Sequence, residues 1–212
     1  MKFNLFTEST PPLVGVDISS TAVKMVELGD NGRGGYKLEG YSISALPKEA
    51  IVDGNIGDLE KVVDGVKLAW KLLGSREKRV ALALPASSVI SKKVLMSAGL
   101  REEDMEVQVE AEANQYIPFS LDEVNIDFQV IGAAPNNPDE VEVLIAAARK
   151  EKIEDRVAAA EGAGLKVTVM DVENYATEAA YSLVASQLPN SGREQTVMIV
   201  DIGASMMHVN VL

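Results

Sequence analysis

Two short segments near opposite ends of the sequence share one plan: an apolar strand, an aspartate at its end, then small residues. The first is Val14-Gly15-Val16-Asp17-Ile18-Ser19-Ser20-Thr21, and the second is Ile199-Val200-Asp201-Ile202-Gly203-Ala204-Ser205. Small turn residues let backbone N–H groups approach an anion closely, as in a phosphate-binding nest. A carboxylate at each strand end suits hydrated Mg²⁺, which keeps several waters and needs only one or two protein carboxylates. Facing each other, such hairpins would clamp nucleotide phosphates through Ser19, Ser20, Thr21, Gly203, Ala204 and Ser205, with Asp17 and Asp201 holding Mg²⁺ through water. The plainer reading is two ordinary hairpins whose aspartates cap turns. Either motif alone fits that reading better, and the repeated plan favours the clamp.

Other chemistries are excluded or disfavoured. The chain has no cysteine, hence no disulfide framework and no thiolate metal site, and its one histidine, His208, cannot make a multi-histidine centre. No G-x-G-x-x-G follows a strand and no G-x-x-x-x-G-K-[ST] is present, which disfavours a dinucleotide enzyme and a P-loop. A formal charge of −12 argues against nucleic acid and against an anionic membrane surface. No apolar run approaches the ~20 residues of a spanning helix. Residues 1–12 lack the apolar region of a signal peptide, so a soluble cytoplasmic protein is expected. Glu173, opening the helix before the second hairpin, is the best-placed general base. An acidic residue in a first helical turn is also favoured by the helix dipole alone, and that explanation is the stronger one.

The elements that must position these residues follow from periodicity. Residues 13–18, 22–28 and 36–43 read as three strands joined by short turns, an antiparallel meander. Asp58 is the N-cap of a helix whose stripe is Leu59, Val62, Val63, Val66, Trp70 and Leu73, and Gly74 ends it. A short buried strand follows at 79–84. Meander, crossover helix and further strand predict a mixed α/β sheet with helices, the ribonuclease-H-like plan. From about Ser88 the texture changes to a helix at 101–116, strands at 124–131 and 141–147 around Pro135-Asn136-Asn137-Pro138, and a helix at 151–163. We read residues 88–164 as an inserted α+β subdomain, residues 13–87 and 165–212 as the discontinuous main subdomain, and residues 1–12 as a flexible tail. A helix at 173–187, with Ala176, Ala179, Ala180, Leu183 and Val184 on one face, leads into a last hairpin at 196–201 and 206–212.

The hairpin around Asp17 resembles the first phosphate motif of actin-like ATPases, and that around Asp201 the second. By this resemblance Lys24 matches the phosphate-contacting lysine, although alone it reads equally as a solvated strand lysine. His208 stands where actin has a histidine near the attacking water; a half-exposed hairpin residue is the simpler reading. Ser19 stands where the superfamily often has glycine, and Ala204 where actin has aspartate, departures that bear on hydrolysis more than on binding. The middle of the chain narrows the resemblance. Glu112-Ala113-Asn114-Gln115-Tyr116-Ile117-Pro118-Phe119, Leu84-Pro85-Ala86-Ser87-Ser88-Val89-Ile90 and Ala146-Ala147-Ala148-Arg149-Lys150-Glu151 look like signatures of PilM, the FtsA-related, actin-like assembly family of the type IV pilus inner-membrane complex. The similarity runs over residues 13–212.

This resemblance implies a cytoplasmic scaffold, peripheral to the inner membrane, that binds ATP with Mg²⁺ and is at most a weak ATPase. It also implies capture of the cytoplasmic N-terminal tail of PilN and association with other pilus inner-membrane components. The expected peptide groove runs beside the inserted subdomain along Met105, Val109, Ala113 and Tyr116, apolar helix residues that a short subdomain was not expected to cover by itself. Phe3-Asn4-Leu5-Phe6 resembles the tail that PilN offers. The alternatives are an FtsA-like division adaptor, a filament-forming protein, or a small-molecule kinase of the same superfamily, for which no cleft motif is visible. An actin fold needs a second half for adenosine, so a fragment that binds nucleotide weakly or not at all is expected.

Overall fold

The computed structural model describes residues 13–32, 35–185, 187–192 and 195–212, so the tail expected at 1–12 lies outside the described residues. Strands β1 (Val14–Ile18), β2 (Ala22–Asp30) and β3 (Tyr36–Ala45) form the antiparallel meander. Alternation drives it: Val14, Val16, Ile18, Val23 and Met25 point inward and are buried, while Gly15, Lys24 and Val26 face the other way. The hairpin of β4 (Ile51–Val52) and β5 (Asn55–Ile56) was not foreseen. Its turn is Asp53-Gly54, with φ of 49° and 77°, the positive values that a two-residue I′ turn demands.

Helix α1 (Leu59–Leu73) begins as expected, with the Asp58 carboxylate accepting from the Lys61 backbone N–H at 3.2 Å, and ends at Gly74 with φ 70°. It buries Val62, Gly65, Val66 and Ala69. Gly65 packs closely there, and a Cβ would push the Leu46 side chain aside. Strand β6 (Arg79–Leu84) pairs parallel with β1 and makes the sheet mixed. Next come β7 (Val89–Ser97), α2 (Glu102–Ala113), β8 (Val124–Ala134), β9 (Asn137–Arg149), α3 (Lys150–Gly162) and β10 (Lys166–Val172). Helix α4 (Glu173–Ala185) and the hairpin of β11 (Met198–Ile202) and β12 (Met207–Val211) close the chain. The main sheet has the order β10-β6-β1-β2-β3, and β7-β9-β8 is a separate three-stranded sheet.

The chain divides into two compact units. One comprises the described residues up to Ala83, Arg156–Asp171 and Asp201–His208; the other comprises Leu84–Asp155, Val172–Val200 and Val209–Leu212. The first unit's core joins sheet residues such as Val16, Met25, Val80 and Leu82 to Val62 and Val66 of α1 and Ala159 and Ala160 of α3. In the second unit, Met96, Met105, Val109, Val143 and Ile145 form one cluster, and Ala113, Ile117, Val124 and Ala147 another. Two boundaries differ from expectation. Helix α2 stops at Ala113, and β8 and β9 continue until Ala134 pairs with Asn137, leaving only Pro135-Asn136 between them. Helix α4 buries none of its described residues, so the apolar face expected there is not a core face.

Candidate functional site

The first turn is built from β1 and β2. Their register sets Asp17 directly opposite Lys24, on the face away from the core. Cross-strand neighbours so placed are within reach of each other, and Lys24 Nζ donates to Asp17 Oδ2 at 2.9 Å. Both side chains are about half exposed, 50% and 45%. The structure thus gathers the lysine and the aspartate of the first motif into one ion pair at the mouth of the turn.

Ser19 closes that turn twice. Its backbone N–H donates to the Ala22 carbonyl at 3.0 Å and its hydroxyl to the same oxygen at 2.9 Å. The Leu46 N–H donates to the Thr21 carbonyl at 2.8 Å. Among the described residues the only non-glycine residues with positive φ are Glu49, Asp53 and Asn190, so Ser19, Ser20 and Thr21 need no glycine. The Ser19 hydroxyl is committed to the turn's own carbonyl in this structure.

The second turn obeys a different rule. The Gly203 N–H donates to the Met206 carbonyl at 2.9 Å, which folds Ala204 and Ser205 into the tip. A Cβ on Gly203 would lie 2.9 Å from that same backbone oxygen, closer than real Cβ contacts, so this position requires glycine. Asp201, Gly203, Ala204 and Ser205 are all exposed, and His208 is partly buried. The turn belongs to the two-stranded β11-β12 sheet, not to the sheet that carries Asp17.

The residues fit a hydrated divalent cation with a phosphate chain: a turn that only glycine allows, an exposed lysine, and one carboxylate per hairpin. No cluster of three or more His, Cys, Asp or Glu able to hold a metal occurs among the described residues. Glu173 sits in the first turn of α4, where its carbonyl accepts from the Thr177 hydroxyl at 2.7 Å.

The expected groove residues are placed elsewhere than foreseen. Met105, Val109 and Ala113 are 7%, 2% and 0% exposed and belong to the second unit's own clusters. The expectation that a short subdomain could not cover them is corrected, because β7, β8 and β9 form a sheet large enough to do so. Tyr116 is partly buried beside the second cluster, and Lys92 Nζ lies 4.4 Å from its ring centre. Burial first, and the Glu112 charge second, push its phenol above the usual range. Arg149 sits over Phe119 at 5.3 Å, and Lys150 donates to the Asp122 carbonyl at 2.7 Å.

One residue that the sequence reading missed lies under the first turn. Arg156 on α3 is only 4% exposed and donates to the carbonyls of Ile18 at 3.3 Å and Gly54 at 3.2 Å. The available signal was an arginine sharing a helical face with the buried alanines Ala159 and Ala160, three and four residues on.

The family model for type IV pilus assembly protein PilM matches residues 15–212. The chain belongs to the PilM family. Among solved structures, PilM in a PilM–PilN type IV pilus biogenesis complex is 26% identical, with a TM-score of 0.80 over 94% of this chain. The chain spans 57% of that PilM. The cytoplasmic domain of EpsL, an inner-membrane component of the type II secretion system of Vibrio cholerae, is 10% identical with a TM-score of 0.55. That match covers 95% of this chain and 68% of EpsL, and it speaks to fold alone. The fold is the actin-like α/β fold expected from the sequence. Among the described residues no helix is long and apolar enough to cross a membrane.

Proposed function

We propose that this PilM-family chain contributes the phosphate side of an ATP–Mg²⁺ site and captures the cytoplasmic N-terminal tail of a PilN-type membrane protein. It acts as a peripheral scaffold of the pilus inner-membrane complex rather than as a metabolic enzyme. The observation that carries this reading is the 26% identical PilM of the PilM–PilN complex, matched over 94% of the chain. The nucleotide part is supported by the Asp17–Lys24 pair at one turn and by the glycine-dependent turn after Asp201. Bound Mg²⁺ would offset phosphate charge, with Asp17 and Asp201 holding its waters and Lys24 turning from Asp17 toward phosphate oxygen. Hydrolysis is slow at most, because Ala204 offers no side chain to an attacking water and Glu173 has an ordinary place in a helix's first turn.

A tail with basic residues beyond an apolar part suits this partner. The first turn of α2 carries Glu102, Glu103 and Asp104, and the chain's net charge is −12. Such complementarity favours association at low salt. A fluorescent peptide of the partner's N-terminal tail, titrated into this chain with and without residues 1–10, tests the capture. Saturable binding at micromolar concentration that weakens with salt supports it. No binding at several hundred micromolar in either form refutes it. Calorimetry with Mg-ATP, on this chain and on any longer form of the protein, tests the nucleotide part separately.

A further inference from the structure

A buried arginine is costly unless its donors are satisfied, so where it sits shows what the fold holds in place. The Arg156 guanidinium reaches two backbone carbonyls far from it in sequence. Ile18 O is the last carbonyl of β1, directly after Asp17 and before the Ser19 turn, and Gly54 O lies in the tight turn of the β4–β5 hairpin. Both contacts lie within the first unit. A planar guanidinium presents its N–H groups in a fixed fork, so two nitrogens bonded to two carbonyls fix the distance between those segments.

Resting on the nucleotide reading above, we infer that Arg156 is the positioning residue of the phosphate turn, setting where Asp17 and residues 19–21 stand from beneath. Other hydrogen bonds also hold the turn. Ser19 closes it on Ala22, and the Leu46 N–H holds the Thr21 carbonyl. Arg156 ties its base to α3. A nucleotide's phosphates would meet a turn already fixed, because the guanidinium grips the carbonyl on the protein side. Arg156 touches no ligand in this arrangement and acts through Ile18. A lysine ends in a single ammonium with a shorter overall reach and no planar fork, so it cannot reproduce the two-pronged grip.

The test uses Arg156→Lys and Arg156→Met, with folding checked by circular dichroism. Hydrogen exchange on this chain reads the Ser19 amide against the Asn31 amide, which donates to Gly35 in the opposite turn of the meander. The expected result is exchange at Ser19 about tenfold faster in both variants, with Asn31 unchanged, the scale of losing a hydrogen bond from a charged donor. Mg-ATP affinity, measured by calorimetry in the longest form that binds it, should fall about tenfold while adenosine affinity stays the same. Unchanged exchange at Ser19 in a folded variant overturns the inference, as does faster exchange with undiminished Mg-ATP affinity. Equal acceleration at Ser19 and Asn31 marks general loosening and also overturns it. If Arg156→Met fails to fold, the lysine variant decides alone. Failure of the wild type to bind Mg-ATP in any form sinks the nucleotide reading instead, and the exchange comparison still reports whether Arg156 holds the turn.

Discussion

Replacing Asp17 by asparagine should separate binding from stability, and the structure sets both magnitudes. The carboxylate meets Lys24 Nζ at 2.9 Å with both side chains about half in water. At that distance the Coulomb energy is about 1.4 kcal/mol in bulk water. The entropy of holding a long lysine, together with salt screening, brings measured exposed pairs to about 0.2–1 kcal/mol. For a chain of this size a loss of that order moves the midpoint by only about 2–4 °C. A carboxylate that holds waters of a metal-bound phosphate chain makes charge-assisted hydrogen bonds worth about 1.5–3 kcal/mol, which is roughly tenfold to a hundredfold in affinity. Thermal unfolding of this chain, and Mg-ATP calorimetry in the longest form that binds it, on wild type, Asp17→Asn, Lys24→Met and the double variant give the complete cycle. The expected pattern is a small midpoint shift, a large affinity loss at Asp17, and a coupling in stability below about 1 kcal/mol. Unaltered Mg-ATP affinity in Asp17→Asn refutes the phosphate-turn reasoning. A midpoint drop of more than roughly 10 °C means instead that the aspartate is structural.

Gly203→Ala should open the second turn, since the added Cβ meets the Met206 carbonyl at 2.9 Å; amide exchange at Gly203 rises and Mg-ATP affinity falls, whereas Ser19→Gly leaves affinity within about twofold. In the complete protein, Asp201→Ala should weaken Mg-ATP binding far more than His208→Ala does, and equal losses would assign the histidine a packing role. Val109→Ala should destabilise the chain by about 2 kcal/mol, two methyl groups plus a residual cavity, in denaturant titrations made without any peptide; no loss would restore Val109 to an open surface. The Glu77 carboxyl is held down to about 2, first by the Arg79 side chain and then by its backbone N–H. A depressed carboxylate stabilises the fold above its unfolded value of 4.5, and that contribution is lost as pH falls toward 2. Glu77→Gln should therefore lower the unfolding midpoint at pH 7, with the difference from wild type closing toward pH 2.

The meander and α1 were legible because their signals are local. Buried and exposed residues alternate along β1 and β2, and Asp58 and Gly74 mark the ends of α1 with side-chain and backbone chemistry of their own. The β4–β5 hairpin escaped because strands of two residues have no period, and only the Asp53-Gly54 pair announces them. The reading of α2 failed for a tertiary reason. Met105, Val109 and Ala113 recur at helical spacing, which shows that the face is covered but not by what. The cover is the sheet β7-β9-β8, whose central strand pairs with residues both before and after the helix. The helical face of Arg156 could be read, but its role could not: its partners are 138 and 102 residues away, and no sequence pattern encodes a contact to a backbone carbonyl.

The two turns, alike in sequence, differ in how much structure the protein supplies before any ligand arrives. Around Asp17 a five-stranded sheet supports the turn from behind, Ser19 donates twice to one carbonyl, and Leu46 and Arg156 hold the carbonyls on either side. Serine at position 19 is therefore accommodated without strain, because the backbone there has ordinary φ and the hydroxyl strengthens the turn. Around Asp201 only two strands support the turn. Met198, Ile202, Met207 and Val211 are more than 60% exposed, and one N–H to the Met206 carbonyl closes the loop. Exposed backbone hydrogen bonds with few buried neighbours mark the low-stability end of a fold. On the proposed nucleotide reading, the entropic cost of ordering would fall mainly on the second turn, and affinity would depend on whatever steadies that hairpin, while the Asp17 turn would be ready beforehand.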